Sequence, residues 1–257
     1  MTTKTDCTIV IPVFHENVQT VTQMYHELGL QGFKVIIVDD GSHMDFPEEM
    51  NVITYPANIG YGHAIKQGIK AADTPIILTM DGDAQHTVSD AQKLYAIYKM
   101  GEDIKMIVGQ RWNINEKPLR WFGRKFLNFI ASLISGHYQS DLNSGMRIFD
   151  AQLAKNYSPI LCDTFSFTTS FTMAMVTDRH KIAYFPIDVQ RRSYGKSNVK
   201  IVRDGLITLY YIVWVGLALR TRGIRKWLRN SITGRWTRKP VGVVGQMVSK
   251  ALTKGSR

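Results

Sequence analysis

The stretch Pro75-Ile76-Ile77-Leu78-Thr79-Met80-Asp81-Gly82-Asp83-Ala84-Gln85-His86 decides the reading of this chain. An apolar run of strand length ends abruptly in two carboxylates one residue apart. Continuous apolar runs of this kind belong to strands buried on both faces, as in parallel sheets covered by helices. The pattern repeats upstream. Residues 8–12 form a short buried-strand run, and residues 34–38 lead directly into Asp39-Asp40-Gly41-Ser42. A weaker strand is expected over residues 52–55 and another over residues 104–109.

Helical spacing fills the intervals. Val21, Met24, Tyr25 and Leu28 share one face of a helix over residues 17–28, which Asn17 is placed to cap. Further helices are expected over residues 61–71 and 88–100. Strands alternating with helices imply an α/β fold, with a mostly parallel central sheet and helices on both faces. Ligands of such sheets bind beyond the carboxyl ends of the strands. Three polar clusters arrive there: Phe14-His15-Glu16, Asp39-Asp40-Gly41-Ser42 and the Asp81-Gly82-Asp83 turn with Gln85 and His86.

The later part is less regular. An amphipathic helix is expected over residues 118–135, with Leu119, Phe122, Phe126, Ile130 and Leu133 at helical spacing. Residues 146–149 and 182–189 read as strands, and residues 167–177 as a helix. Residues 205–219 form an uncharged run of 15, bounded by Asp204 and Arg220. A bilayer-spanning helix needs about 20 apolar residues, so this run reads as an interfacial or core helix.

Composition sets the outer bounds. The chain has 257 residues, 44% of them hydrophobic, enough for one substantial core. Cys7 and Cys162 match no zinc spacing, and the first residues lack the pattern of a signal peptide, so a reducing location is expected. The net charge is +11, but residues 220–257 carry 11 Lys or Arg and no acid, which leaves 21 basic against 21 acidic residues elsewhere. The basic character therefore belongs to the tail, which suits anionic lipid or nucleic acid by charge attraction. The balanced remainder and the lack of a nucleic-acid motif favour lipid over nucleic acid.

The candidate chemistry follows from residue type. Hard divalent cations take oxygen ligands, and Mg²⁺ takes one or two carboxylates plus substrate phosphates. Asp81 and Asp83 suit that role, and Gln85 adds a neutral oxygen; a plain Asp-Gly turn is the alternative. Asp39 and Asp40 read either as acceptors for a base or ribose or as an Asx-type turn. The segment Asn58-Ile59-Gly60-Tyr61-Gly62-His63-Ala64 lacks the third glycine of a dinucleotide fingerprint and reads as a helix entry. Arg111, Arg120, Arg124 and Lys125 gather around the amphipathic helix, and Arg192, Lys196 and Ser197 lie in a Gly-containing loop; arginine and lysine bind phosphate when not merely solvated. His15, His63 and His86 show no ligand spacing and read as structural or solvent-facing.

Taken in order, IPVFHE, VDDGS, NIGYGHAIKQG, MDGDAQH, GQR, DLNSGMR, FSFTTSFTMA and RRSYGKSNVK resemble the family 2 glycosyltransferases, in particular the dolichyl-phosphate mannose synthase-like, polyprenyl-phosphate glycosyltransferase branch. The resemblance runs from Ile9 to Asn198. It implies a GT-A fold over residues 1–198, a nucleotide-sugar donor, and Mg²⁺ or Mn²⁺. Carried over by position, Pro12 and Glu16 line the nucleotide pocket, with Asp40 and Asp39 at the nucleoside. Asp81 meets nucleotide and metal, Asp83 is the principal metal ligand, and Gln85 completes the site. Arg192 and Lys196 close over the diphosphate, while Arg111 and Arg124 hold an acceptor phosphate. Apart from the resemblance, Asp141 in Asp141-Leu142-Asn143-Ser144-Gly145 reads either as the general base for a hydroxyl acceptor or as a turn or cap residue. Mannose synthases of this group carry an acid where this chain has Phe165-Ser166-Phe167-Thr168-Thr169-Ser170, so mannose is not implied.

The remaining expectations concern place and partners. Residues 199–257 are expected to associate with an anionic membrane surface through the apolar helix and basic tail, at the cytoplasmic face. The expected acceptor is a polyprenyl phosphate or another lipid-linked group. A small membrane-protein partner or a homo-oligomer is compatible with this organisation. The readings from other classes are a nucleic-acid-binding protein and a GT-A subunit without catalysis.

Overall fold

A computed structural model describes residues 5–111, 118–189 and 201–233. Among them, seven strands form one sheet in the order β3-β2-β1-β4-β6-β5-β7. The strands are β1 (Cys7–Val13), β2 (Lys34–Asp39), β3 (Val52–Thr54), β4 (Ile76–Thr79), β5 (Ile104–Arg111), β6 (Arg147–Asp150) and β7 (Lys181–Ile187). All run parallel except β6, which is antiparallel to both β4 and β5. The mostly parallel sheet is thus as expected, while the reversed strand was not legible as reversed.

The helices are α1 (Val18–Leu30), α2 (Tyr61–Ala71), α3 (Val88–Met100), α4 (Pro118–Ser135), α5 (Ala151–Tyr157), α6 (Phe167–Thr177) and α7 (Ile201–Thr233). Local chemistry starts several of them. Asn17 caps α1 by accepting from Thr20 N at 3.0 Å, as its position predicts. Thr87 caps α3 by accepting from Asp90 N at 3.1 Å and donating to the Asp90 carboxylate at 2.8 Å.

Alternation along β1 divides the core. Ile9 and Ile11 pack with Val21, Met24 and Leu28 of α1 and Leu94 of α3 on one face. Val10 packs on the other face with Ala64, Ile65 and Ile69 of α2 and Phe171 of α6. The second cluster also takes in Ile212, Val215 and Leu219 of α7. The uncharged run over residues 205–219 is therefore the middle of a longer helix that lays one face on the core. Its length, at about 1.5 Å per residue, is about 50 Å.

The other face of α7 exposes Leu206, Tyr210, Val213, Trp214 and Leu217. Helix α4 packs against α7 and exposes Trp121, Phe122, Phe126, Phe129 and Leu133. No described helix is long and apolar enough to cross a membrane.

Candidate active site

The polar clusters at the strand ends do meet. Asp40 N donates to Val13 O at 3.0 Å, and His15 N donates to Ser42 Oγ at 2.7 Å, which joins the ends of β1 and β2. Met80 N donates to Val10 O, so the Asp81-Gly82-Asp83 turn leaves β4 beside β1. Pro12 is buried within β1, and Glu16 follows it half-buried.

Both carboxylates that end β2 are committed to backbone amides. Asp39 accepts from Ser42 N at 2.9 Å, and Met44 N approaches its other oxygen at 3.4 Å. Asp40 accepts from Ile59 N at 2.9 Å and Gly60 N at 2.8 Å, one bond to each oxygen. The Asp39 bond is the expected Asx-type turn, whereas Asp40 reaches a separate loop; both side chains are buried.

Asp81 is held from several sides. Tyr61 Oη donates to its Oδ1 at 2.9 Å, and His86 Nε2 lies 3.5 Å from Oδ2. Gly145 closes a third side: a Cβ there would lie 2.4 Å from both carboxylate oxygens. The side chain still keeps 31% of its surface, so one side is open to a ligand. Burial alone would raise the Asp81 pKa. The hydrogen bond and charge of His86, the Tyr61 hydroxyl and the Arg111 charge outweigh it and hold the carboxyl below its ordinary range. Burial and the Asp81 charge push the Tyr61 phenol well up, so it remains a donor. His86 is buried, and its Nδ1 has no hydrogen-bond partner among the described residues. Asp83 is buried and its Oδ1 accepts from Gln85 N at 3.1 Å, which closes the acidic turn on Gln85.

The other half of the site is built around residues 141–145. Arg111, at the end of β5, grips Asp141 with Nε on one oxygen and Nη2 on the other, both at 2.8 Å. Burial raises the Asp141 pKa, but the charge and hydrogen bonds of Arg111, with the charge of Arg124, pull it below the ordinary range. Asp141 also accepts from Asn143 N at 3.2 Å, the bond expected of a turn residue. Thr79 Oγ1 donates to Gly145 O at 2.6 Å and ties this loop to the end of β4. Asn143 Oδ1 accepts from Thr169 of α6 at 2.9 Å.

Sequence reasoning missed three contributors. Tyr61 lay in a segment read as a helix entry, and His86 was read as structural. Arg147 is fully buried and donates to the carbonyls of Leu142, Ser144 and Thr168 and to Thr172 Oγ1. Burial lowers its pKa to about 10. Arg192, Lys196 and Ser197 lie outside the described residues, as do residues 234–257 of the basic tail. Among the described residues no group of three His, Cys, Asp or Glu side chains could hold a metal.

Comparison with known proteins gives a consistent result. The family described as "Glycosyl transferase family 2" matches residues 8–166. A protein of Methanocaldococcus jannaschii without an assigned function is 28% identical over 226 residues, covering 82% of this chain and 92% of that protein. Undecaprenyl-phosphate 4-deoxy-4-formamido-L-arabinose transferase of Proteus mirabilis is 26% identical over 229 residues, covering 79% of this chain. This chain spans 65% of that transferase's length. Among solved structures, glucosyl-3-phosphoglycerate synthase of Mycobacterium tuberculosis, in complex with Mn²⁺, uridine-diphosphate-glucose and phosphoglyceric acid, superposes with a TM-score of 0.66 at 14% identity. The match covers 82% of this chain and 79% of that one, and it shows a shared fold.

Proposed function

From the premise that this chain belongs to glycosyl transferase family 2, we propose that it moves a sugar from a nucleoside-diphosphate sugar to a polyprenyl-phosphate acceptor at the cytoplasmic face of a membrane. The observation that carries this reading is the meeting of an acidic turn with the loop over residues 141–145. Gly145 abuts the Asp81 carboxylate, Asp141 of the same loop is paired with Arg111, and the Arg111 charge helps to lower the Asp81 pKa.

The donor set fits a hard divalent cation. All its ligating atoms are oxygens, and two carboxylates leave the remaining positions to substrate phosphates. Asp81, Asp83 and Gln85 would hold Mg²⁺ or Mn²⁺, which supplies Lewis-acid neutralisation of diphosphate charge. The chain's own residues do the rest. Pro12 and Glu16 form the floor at the strand ends where the nucleoside lies, and Asp39 and Asp40 hold the backbone beneath it. Arg192 and Lys196 add donors for the departing diphosphate.

In the reaction, an acceptor oxygen forms a bond to the anomeric carbon while the bond to the diphosphate oxygen breaks. The electron pair leaves on the nucleoside diphosphate, and a single displacement inverts the centre. A phosphate acceptor is already ionised near neutral pH and needs no base, which agrees with the commitment of Asp141 to Arg111. Arg124, close enough to lower the Asp141 pKa, and Arg111 orient the acceptor phosphate. The exposed aromatic and aliphatic side chains of α4 and α7 support a membrane location, because Trp, Tyr and Phe suit the lipid interface. Residues 199–257 then serve as the membrane-associating segment, its basic tail gaining about 1 kcal/mol per Lys or Arg at an anionic surface.

The test is a panel of radiolabelled nucleotide-sugars incubated with membranes and scored by label entering organic solvent. Wild type transfers label from one donor, and Asp83→Ala loses transfer at an unchanged melting temperature. Undiminished transfer by Asp83→Ala overturns the metal-assisted reading. Label confined to a water-soluble glycan overturns the lipid acceptor in favour of a sugar hydroxyl.

A further inference from the structure

The segment Asn58-Ile59-Gly60-Tyr61 connects two clusters that are far apart in sequence. At one end, Asp40 accepts from the amides of Ile59 and Gly60 at 2.9 and 2.8 Å. At the other, the very next residue, Tyr61, donates its hydroxyl to Asp81 Oδ1 at 2.9 Å. Gly60 has φ +141°, a conformation other residues rarely adopt, and a Cβ there would lie 2.5 Å from Asp163 O. The peptide is thus pinned on both sides immediately before Tyr61. Its ring is fixed as well, stacked on Phe165 with centroids 5.7 Å apart and planes 11° from parallel.

We propose that Tyr61 is a positioning residue for Asp81, and that Asp40 acts on the acidic turn through Tyr61 by fixing the peptide that carries it. A carboxylate on a short side chain rotates about its χ bonds unless something holds it, and a ligand that needs one orientation must then stop that rotation on binding. Tyr61 does so beforehand. The Asp40 carboxylate spends one hydrogen bond from each oxygen on the loop, so its first task is mechanical. This deepens the donor-site reading above and rests on it for its consequence, weaker metal-dependent nucleotide binding when the link is cut.

The test uses the full chain, with UDP and GDP as probes and Mn²⁺ as the metal. The Mn²⁺ concentration for half-maximal thermal shift is measured for wild type, Tyr61→Phe, Asp40→Asn and the double variant. Tyr61→Phe keeps the ring and its stack on Phe165, so it decides alone if Asp40→Asn does not fold. Loss of a hydrogen bond to a charged group predicts about a tenfold rise for Tyr61→Phe. Because Asp40 works through Tyr61, the double variant is no worse than the weaker single, rather than about a hundredfold worse than wild type. An unchanged requirement in Tyr61→Phe, or effects that multiply in the double, overturns the proposal. Crystal structures of nucleotide-free wild type and Tyr61→Phe supply an arm independent of binding. Asp81 is expected to leave its wild-type rotamer in Tyr61→Phe, and an unmoved carboxylate also overturns the proposal. If neither nucleotide shifts wild type, the donor-site reading fails and the crystallographic arm still decides the role of Tyr61.

Discussion

The two halves of the site are held in different ways. Around Asp39 and Asp40, carboxylates at strand ends accept bonds from backbone amides, each of modest strength. Around residues 141–145, two arginines do most of the holding, and their partners lie on other elements. Arg111 reaches Asp141 from the end of β5, and Arg147 ties the carbonyls of Leu142 and Ser144 to Thr168 and Thr172 of α6. Many small bonds tolerate the loss of one member; a few buried charges do not.

The largest break in that contrast is expected at Arg147. Arg147→Met fills much of the volume but takes the guanidinium from the carbonyls of Leu142 and Ser144, while Thr168 O keeps the Thr172 hydroxyl as donor. Each unsatisfied group costs about 1–3 kcal/mol, so two carbonyls predict a loss of about 2–6 kcal/mol in urea unfolding. Removing a peripheral cap such as Thr87→Ala costs about 1 kcal/mol. Equal losses for the two variants would mean that the loop is not organised by Arg147.

How far the chain could be read in advance follows the same division. Strands β1, β2 and β4 were legible because burial on both faces writes itself as consecutive apolar residues. The acidic residues at their ends were legible because they follow those runs directly. The direction of β6 was not, because Arg147 to Asp150 is a strand pattern in either sense, and only pairing with β4 and β5 fixes it. Helix α5 is too short to show a period. Tyr61–Asp81 and Arg111–Asp141 join residues 20 and 30 positions apart, and no local spacing encodes such pairs. Residue type left Asp40 open between ligand acceptor and turn, and its bonds to the amides of Ile59 and Gly60 join it to a loop that no local spacing could indicate.

A smaller effect, with a distinctive pH dependence, is expected at Asp141. Asp141→Asn removes the charge opposite Arg111, whose side chain is only 23% exposed, and about 2 kcal/mol of stability is expected to go with it. The folded carboxyl titrates below its ordinary value of 3.8. The unfolded form therefore binds the proton first as pH falls, so the contribution is fully present above about pH 4 and disappears as pH drops through the lower, folded pKa. Urea unfolding at pH 7 and at successively lower pH should show the two proteins converging only below about pH 4. A gap that is constant with pH would assign the loss to packing instead.

The smallest effect on folding is expected on the outer surface of α4, where Phe126 and Phe129 are 49% and 64% exposed. Phe126→Ser with Phe129→Ser removes apolar surface that the core does not use, so stability should change by no more than about 0.5 kcal/mol per site. Binding to vesicles containing phosphatidylglycerol should nevertheless fall, because that surface is what the bilayer interface would take up. Truncation after Asn198 is a poorer test of the same idea. It also strips Ile212, Val215 and Leu219 from the core, so lost sedimentation could reflect misfolding. The paired serine variant separates the two causes: vesicle binding equal to wild type, in a protein that melts as wild type does, would remove α4 from the membrane face and leave α7 and the basic tail to account for any attachment.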